Sequence, residues 1–172
     1  LSFVGTHQTF NIKKGQKLYT NSGHAPMGWG LPAAVGASFA KNKQKVICLT
    51  GEGGIQMNIQ ELSTCTQYGL PVKIINLNNG YLGMVKQWQD MQYSGRYASS
   101  TYEESLPDFV KLAESYGHIG MKVDKASELE GAMEECFKLT DRLVFMDILV
   151  DPNEHVYPMQ IKEGSMRDMW LK

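Results

Sequence analysis

The tightest constraint on this chain is the stretch from Gly51-Glu52-Gly53-Gly54 to Asn78-Asn79. The apolar run Val46-Ile47-Cys48-Leu49-Thr50 leads into it and reads as a buried strand of a parallel sheet. Glycines on both sides of Glu52 let the backbone turn sharply and come close to a ligand, and the one side chain among them is a carboxylate. The 24 positions from 54 to 77 hold a helical segment over 55–68, then Pro71 and a second apolar strand over 72–77. A carboxylate therefore ends one strand and a carboxamide pair ends the next. Both belong at the carboxyl edge of a parallel sheet, where open α/β folds bind ligands. Carboxylate and amide oxygens suit Mg²⁺, which takes oxygen ligands and is commonly shared with a phosphate-bearing substrate. The glycine turn also offers amide N–H groups at a helix start, and these favour phosphate oxygens.

The remaining segments fit the same plan. Val4-Gly5-Thr6-His7-Gln8 reads as a polar turn and a candidate second phosphate loop. Residues 18–20 are a short strand candidate, 21–30 are too glycine-rich to be regular, and 31–37 form a helix of small residues with Pro32 in its first turn. After the Asn pair, Leu82, Val85 and Trp88 recur at helical spacing, and Met84 and Trp88 are candidates to line a pocket. Residues 93–101 read as a mobile loop. Ser105 and Asp108 form a capping-box signal for a helix that Gly117 ends, and Ser127 and Glu130 form a second one for a helix to about 139. Strands are expected over 119–123 and 143–150. Alternating strands and helices predict an α/β fold with a doubly wound, mostly parallel sheet flanked by helices.

Residues 1–150 are expected to form the binding domain, and the apolar tail 151–172 to pack on a missing domain or a partner. With 172 residues, 42% hydrophobic and 20% charged, the chain has the composition of an ordinary globular domain. A net charge of −1 gives no electrostatic case for nucleic acid or an anionic membrane, and no apolar run reaches spanning length. Cys48, Cys65 and Cys136 follow no metal spacing and read as packed, reduced thiols of a cytoplasmic protein. The chain opens at Leu1 in loop-like sequence, which suggests a domain of something longer.

The Gly-acid-Gly turn followed by Asn-Asn resembles the thiamine diphosphate (ThDP) motif, with Glu52 where Asp is usual. The resemblance extends along most of the chain. Residues 78–90, Gln56–Thr64, Ser105–Phe109 and Glu154–Met159 look like the C-terminal, diphosphate-binding domain of the acetohydroxyacid (acetolactate) synthase large catalytic subunit. That resemblance implies a ThDP-binding fold, with thiamine diphosphate and Mg²⁺ as cofactors. FAD is possible in the full-length enzyme, without a motif for it here. It implies Mg²⁺ ligation by Glu52, Asn79 and the Tyr81 carbonyl, and diphosphate contacts from Gly5, His7, Gly53 and Gly54. Met27 would hold the cofactor bent, Ala25 would meet its aminopyrimidine through the backbone, and Gly83, Met84 and Val85 would continue its wall. Trp88 would narrow the substrate channel. His24, His118 and His155 match no role and read as structural or surface residues.

The activity implied is transfer chemistry of branched-chain amino acid biosynthesis, in which pyruvate is decarboxylated and condensed with a second 2-keto acid. No catalytic residue is expected in this chain. The activating glutamate belongs to an N-terminal pyrimidine-binding domain or subunit, so the isolated chain should be inactive. The expected assembly is a homodimer or tetramer, with a possible regulatory small subunit. Some residues depart from the family pattern. Phe3 and Thr6 differ in the first loop, and Ser22-Gly23-His24-Ala25-Pro26-Met27 is one residue short. With Glu52, that loop looks more like other ThDP-dependent decarboxylases or lyases, which stand as the alternative. A non-catalytic Mg-nucleotide module is a third reading, without the usual Gly-x-Gly-x-x-Gly or Walker pattern.

Overall fold

The computed structural model describes residues 2–40, 42, 45–102, 104–160 and 164–171. Among these residues the apolar runs become four strands, β1 (Ile47–Gly51), β2 (Lys73–Asn78), β3 (Ile119–Val123) and β4 (Val144–Leu149). They lie in the order β1-β2-β4-β3, and every pairing is parallel. Parallel neighbours need crossovers, and these are supplied by α3 (Glu52–Gln56), α4 (Glu61–Tyr68), α5 (Gly83–Tyr93), α6 (Phe109–Ser115) and α7 (Leu129–Lys138). Two further helices, α1 (Ser2–Thr9) and α2 (Gly30–Ala40), precede the sheet.

Both faces of the sheet are covered, as a doubly wound fold requires. On one face Leu31 and Ala34 of α2, Leu62 and Cys65 of α4, and Phe109 and Ala113 of α6 pack on Cys48, Ile74 and Phe145. On the other, Cys136 and the half-buried Met133 and Phe137 of α7 pack on Ile75, Val144 and Met146. Successive strand residues thus serve opposite layers. Each fully buried Leu, Ile, Val, Phe or Met among these contributes about 1.5–3 kcal/mol. The three cysteines are buried and free, and burial pushes the Cys48 and Cys65 thiols up to about 12. They are packing groups, as their sequence context suggested.

Local outcomes differ from expectation at five places. The 4–8 segment is not a turn but part of α1, where the Thr6 and Thr9 hydroxyls bond back to the Ser2 and Gly5 carbonyls. Residues 18–20 form no strand: the run is short, Tyr19 is exposed, and none of it joins the β1-β2-β4-β3 ladder. The expected 55–68 helix is two helices. Residues 57–63 wind more tightly, with Glu61 N–H donating to Asn58 O (3.1 Å) and Leu62 N–H to Ile59 O (3.1 Å). The Asn58 side chain is drawn away to the Gly28 carbonyl (2.9 Å). Asp108, not Ser105, caps α6, its Oδ1 accepting from the Val110 and Lys111 amides (3.1 Å each). Pro107 explains this, because the residue before a proline is pushed out of helical backbone. Ser127 lies within a 3₁₀ turn, Ala126–Glu128, and makes no side-chain cap.

The start of the tail meets the chain itself. Val156 is buried, its N–H donating to Gln87 Oε1 (2.9 Å) while Gln87 Nε2 donates to its carbonyl (2.8 Å). His155 Nε2 lies 3.0 Å from Asp90 Oδ2. Residues 155–156 therefore dock on α5 of the same chain. Further along, Met166 and Leu171 stay 74% and 77% exposed.

Candidate cofactor site

The site forms where β1 and β2 end side by side. Gly51, extended at φ −121° and ψ 168°, closes β1, and Glu52 opens α3. Glu52 is 2% exposed, and its Oε1 accepts from the Tyr81 N–H (2.9 Å). Asn79 Oδ1 accepts from the same N–H (3.1 Å). A carboxylate oxygen and an amide oxygen from neighbouring strand ends thus converge on one amide. Burial pushes the Glu52 carboxyl above the usual carboxylate range; its amide partners oppose this and the Asp147 charge adds to it. A cation at this point would favour the charged form. The Tyr81 carbonyl is left out of the two bonds that flank it, Leu82 N–H to Ser100 O (2.8 Å) and Tyr102 N–H to Gly80 O (3.1 Å).

This donor set fits Mg²⁺, since every candidate ligand is a hard oxygen. Among the described residues no three His, Cys, Asp or Glu side chains cluster. A cation here would be held by one carboxylate, neutral protein oxygens and the oxygens of its ligand. The glycines form the matching cradle. A Cβ at Gly53 would collide with the Tyr102 hydroxyl and stand 3.0 Å from Leu82 Cδ2 and 3.2 Å from Met27 Cε. At Gly54 it would stand 3.1 Å from Thr50 Oγ1. Gly28, at φ +85°, would place a Cβ 2.8 Å from that of Met57, so this loop can lie on α3 only with glycine there.

The other expected site residues divide into those gathered here and those set apart. Met27 reaches over Gly53 from the 21–29 loop and is 49% exposed. Ala25, in the same loop, holds a left-handed φ of +47°, a strained conformation for alanine. Gly83, Met84 and Val85 form the first turn of α5, with Val85 exposed, and Trp88 follows half-buried in the next turn. Gly5 and His7 sit in α1, not on a loop. That helix starts beside the site, with Ser2 Oγ 3.4 Å from where a Cβ of Gly51 would be.

Several groups around the site were not singled out from the sequence. The Asn pair splits: Asn79 faces Glu52, whereas Asn78 Nδ2 donates to both oxygens of the buried Asp147 (3.2 and 3.3 Å). Asn76 Nδ2 donates to Asp147 Oδ1 as well (2.7 Å). The visible signal was two asparagines alternating at the end of a strand whose middle is apolar, Lys73-Ile74-Ile75-Asn76-Leu77-Asn78. Tyr102 is a second omission. Burial, then the nearby Glu52 charge, raises its hydroxyl above the usual range. A third is the cluster on α5, where the Lys86 ammonium meets Asp90 (2.8 Å) and the Tyr97 hydroxyl donates to Asp90 (2.6 Å).

A parallel α/β sheet carrying an acid-glycine cradle at its carboxyl edge defines a cofactor-binding domain of the ThDP class. Residues 3–148 match the family described as "Thiamine pyrophosphate enzyme, C-terminal TPP binding domain", and the chain belongs to it. Over nearly its whole length it is also similar to acetolactate synthase large subunits. It is 57% identical to that of Haemophilus influenzae over 99% of this chain and 30% of the relative. It is 54% identical to the isozyme 3 large subunit of Escherichia coli, again over 99% of this chain and 31% of the relative. The large subunit of the more distant Cyanidium caldarium is 42% identical over 98% of this chain. The chain thus spans about 30% of the length of the curated relatives it matches.

Proposed function

We propose that this chain is the diphosphate- and Mg²⁺-binding domain of an acetolactate synthase, a ThDP-dependent carboligase that decarboxylates pyruvate and joins the product to a second 2-keto acid. The observation that carries this is the meeting of Glu52 and Asn79 over the Gly53–Gly54 cradle, in a chain 57% identical to a subunit of that name. Glu52, Asn79 and the Tyr81 carbonyl would hold the cation, and the amides of Gly53 and Gly54 would take phosphate oxygens. Gly5 and His7 would approach the diphosphate from α1. Bound here, ThDP would serve as the electron sink for loss of carbon dioxide from a 2-keto acid.

The chain's own residues would bind and orient. Met27 and Ala25 of the 21–29 loop would set the cofactor's bend. Gly83, Met84 and Val85 would form its wall, with Trp88 shaping the space for the second substrate. A separate pyrimidine-binding domain would supply the activating glutamate and exclude water. Homo-oligomerisation, and any FAD or regulatory subunit, would belong to that larger assembly. The short 22–27 loop and Glu52 favour a second reading, another ThDP decarboxylase or lyase. The test is to supply the complete enzyme with pyruvate and measure products. Acetolactate supports the first reading, and carbon dioxide with aldehyde alone supports the second. Trp88→Leu should shift the choice between pyruvate and 2-ketobutyrate as second substrate by about 1–3 kcal/mol. An unchanged product ratio would place Trp88 outside the channel.

A further inference from the structure

In register across the carboxyl end of the sheet, Thr50, Asn76, Asp147 and Lys122 form one transverse polar row. The preceding row on the same face is Cys48, Ile74, Phe145 and Gly120. Asp147 is 6% exposed, and burying a carboxylate is costly unless it is paired and hydrogen-bonded. Its partners are amide N–H donors of Asn76 and Asn78. Both carboxyl oxygens accept from these amides, Oδ1 from Asn76 and Asn78 and Oδ2 from Asn78, so Asp147 dictates which end of the Asn78 amide faces it. With its NH₂ fixed on Asp147, Asn78 turns its Oδ1 to the Gly80 N–H (3.2 Å). Gly80, at φ +73°, is the pivot of the turn that carries Asn79 and Tyr81 to Glu52.

We propose that Asp147 is a positioning residue for the cation site: by fixing the Asn78 amide it holds the Asn79–Gly80–Tyr81 turn in the geometry that meets Glu52. This inference rests on the reading of Glu52 and Asn79 as the Mg²⁺ site. Asp147 touches neither cation nor cofactor and acts two residues removed, through Asn78 and Gly80. An asparagine at position 147 could donate as well as accept. Asn78 could then flip, turning its NH₂ on the Gly80 N–H and loosening the turn.

The test titrates Mg²⁺ at fixed ThDP in the enzyme that carries this domain, reading cofactor binding by calorimetry. Asp147→Asn should raise the Mg²⁺ concentration for half-saturation about 10-fold, the low end for groups that orient metal ligands. ThDP binding at saturating Mg²⁺ and kcat should stay near those of the parent. Asn78→Ala breaks the same chain at its middle and should act in the same direction, which keeps the inference testable if Asp147→Asn fails to fold. Met146→Ala, on the same strand but facing the other layer, should lower Tm without moving the Mg²⁺ requirement. Half-saturation unchanged within about twofold in the Asp147 and Asn78 variants, or raised equally by Met146→Ala, overturns the inference. Glu52→Ala run alongside separates the two levels. Retained Mg²⁺ dependence in that variant overturns the site and this inference with it. Lost dependence there, beside an unchanged Asp147→Asn, overturns the inference alone.

Discussion

Gly53 carries two demands at one backbone position. Its missing Cβ leaves room for Tyr102, Leu82 and Met27 around it, and its amide opens the helix at the proposed phosphate cradle. Gly53→Ala should cost about 1–3 kcal/mol of stability through overpacking, since the nearest obstacles are ends of flexible side chains. ThDP affinity should fall by more than about 10-fold, as the added methyl enters the cradle, a change worth roughly 1.4 kcal/mol or more. Thermal unfolding and a cofactor titration on the same variant would check both. Equal affinity with a lowered Tm would make Gly53 a packing residue only. At this scale the sequence was legible where chemistry is local. The turn, Glu52 and the Asn pair lie within one strand-helix-strand unit and could be read from spacing. Asp147 could not, because its contacts with Asn76 and Asn78 span 71 and 69 residues, and one sequence does not say which strands pair.

At the scale of elements, α5 ties the site to the rest of the chain. Its Gln87 makes two bonds to buried Val156, and its Asp90 gathers Lys86, Tyr97 and His155. Gln87→Ala leaves the Val156 amide and carbonyl unpaired and should cost about 1–3 kcal/mol. Faster hydrogen exchange confined to residues 151–160 would report it, and unchanged exchange there would refute the docking. Burial alone would raise the Asp90 carboxyl, but the bonds from Lys86 and Tyr97 outweigh it and hold it below its ordinary value. A depressed carboxyl contributes stability above its unfolded pKa of about 3.9 and loses it as pH falls through the folded value. Exchange in the 93–101 loop should therefore rise below about pH 4, and Asp90→Asn should show that rise already at neutral pH. From β1 onward the element types were legible from hydrophobic period, whereas the polar 4–8 segment, which is helix, and the 18–20 run, which is no strand, were not. The ends of α4, α6 and α7 were not, because capping is decided by which side chain is free to turn inward. Asn58 is engaged with Gly28, and Pro107 moves the start of α6 to Asp108.

At the scale of the molecule, the doubly wound sheet places the glycine turn, the Asn pair and the start of α5 at one edge. In the proposed reading the chain offers a floor and one wall for the cofactor, and it spans about 30% of the length of its curated relatives. Binding and turnover should therefore separate. The 172-residue chain is expected to bind ThDP with Mg²⁺ yet release no more carbon dioxide from pyruvate than free ThDP does. Its exposed Met166 and Leu171 should favour self-association, visible by sedimentation. The most direct test of the central claim is a calorimetric titration of the chain with ThDP, with and without Mg²⁺, beside Glu52→Ala. Saturable binding that needs Mg²⁺ and disappears in the variant is expected, with no matching heat from ATP plus Mg²⁺. Binding of equal affinity without the metal, or undiminished in Glu52→Ala, would contradict the claim.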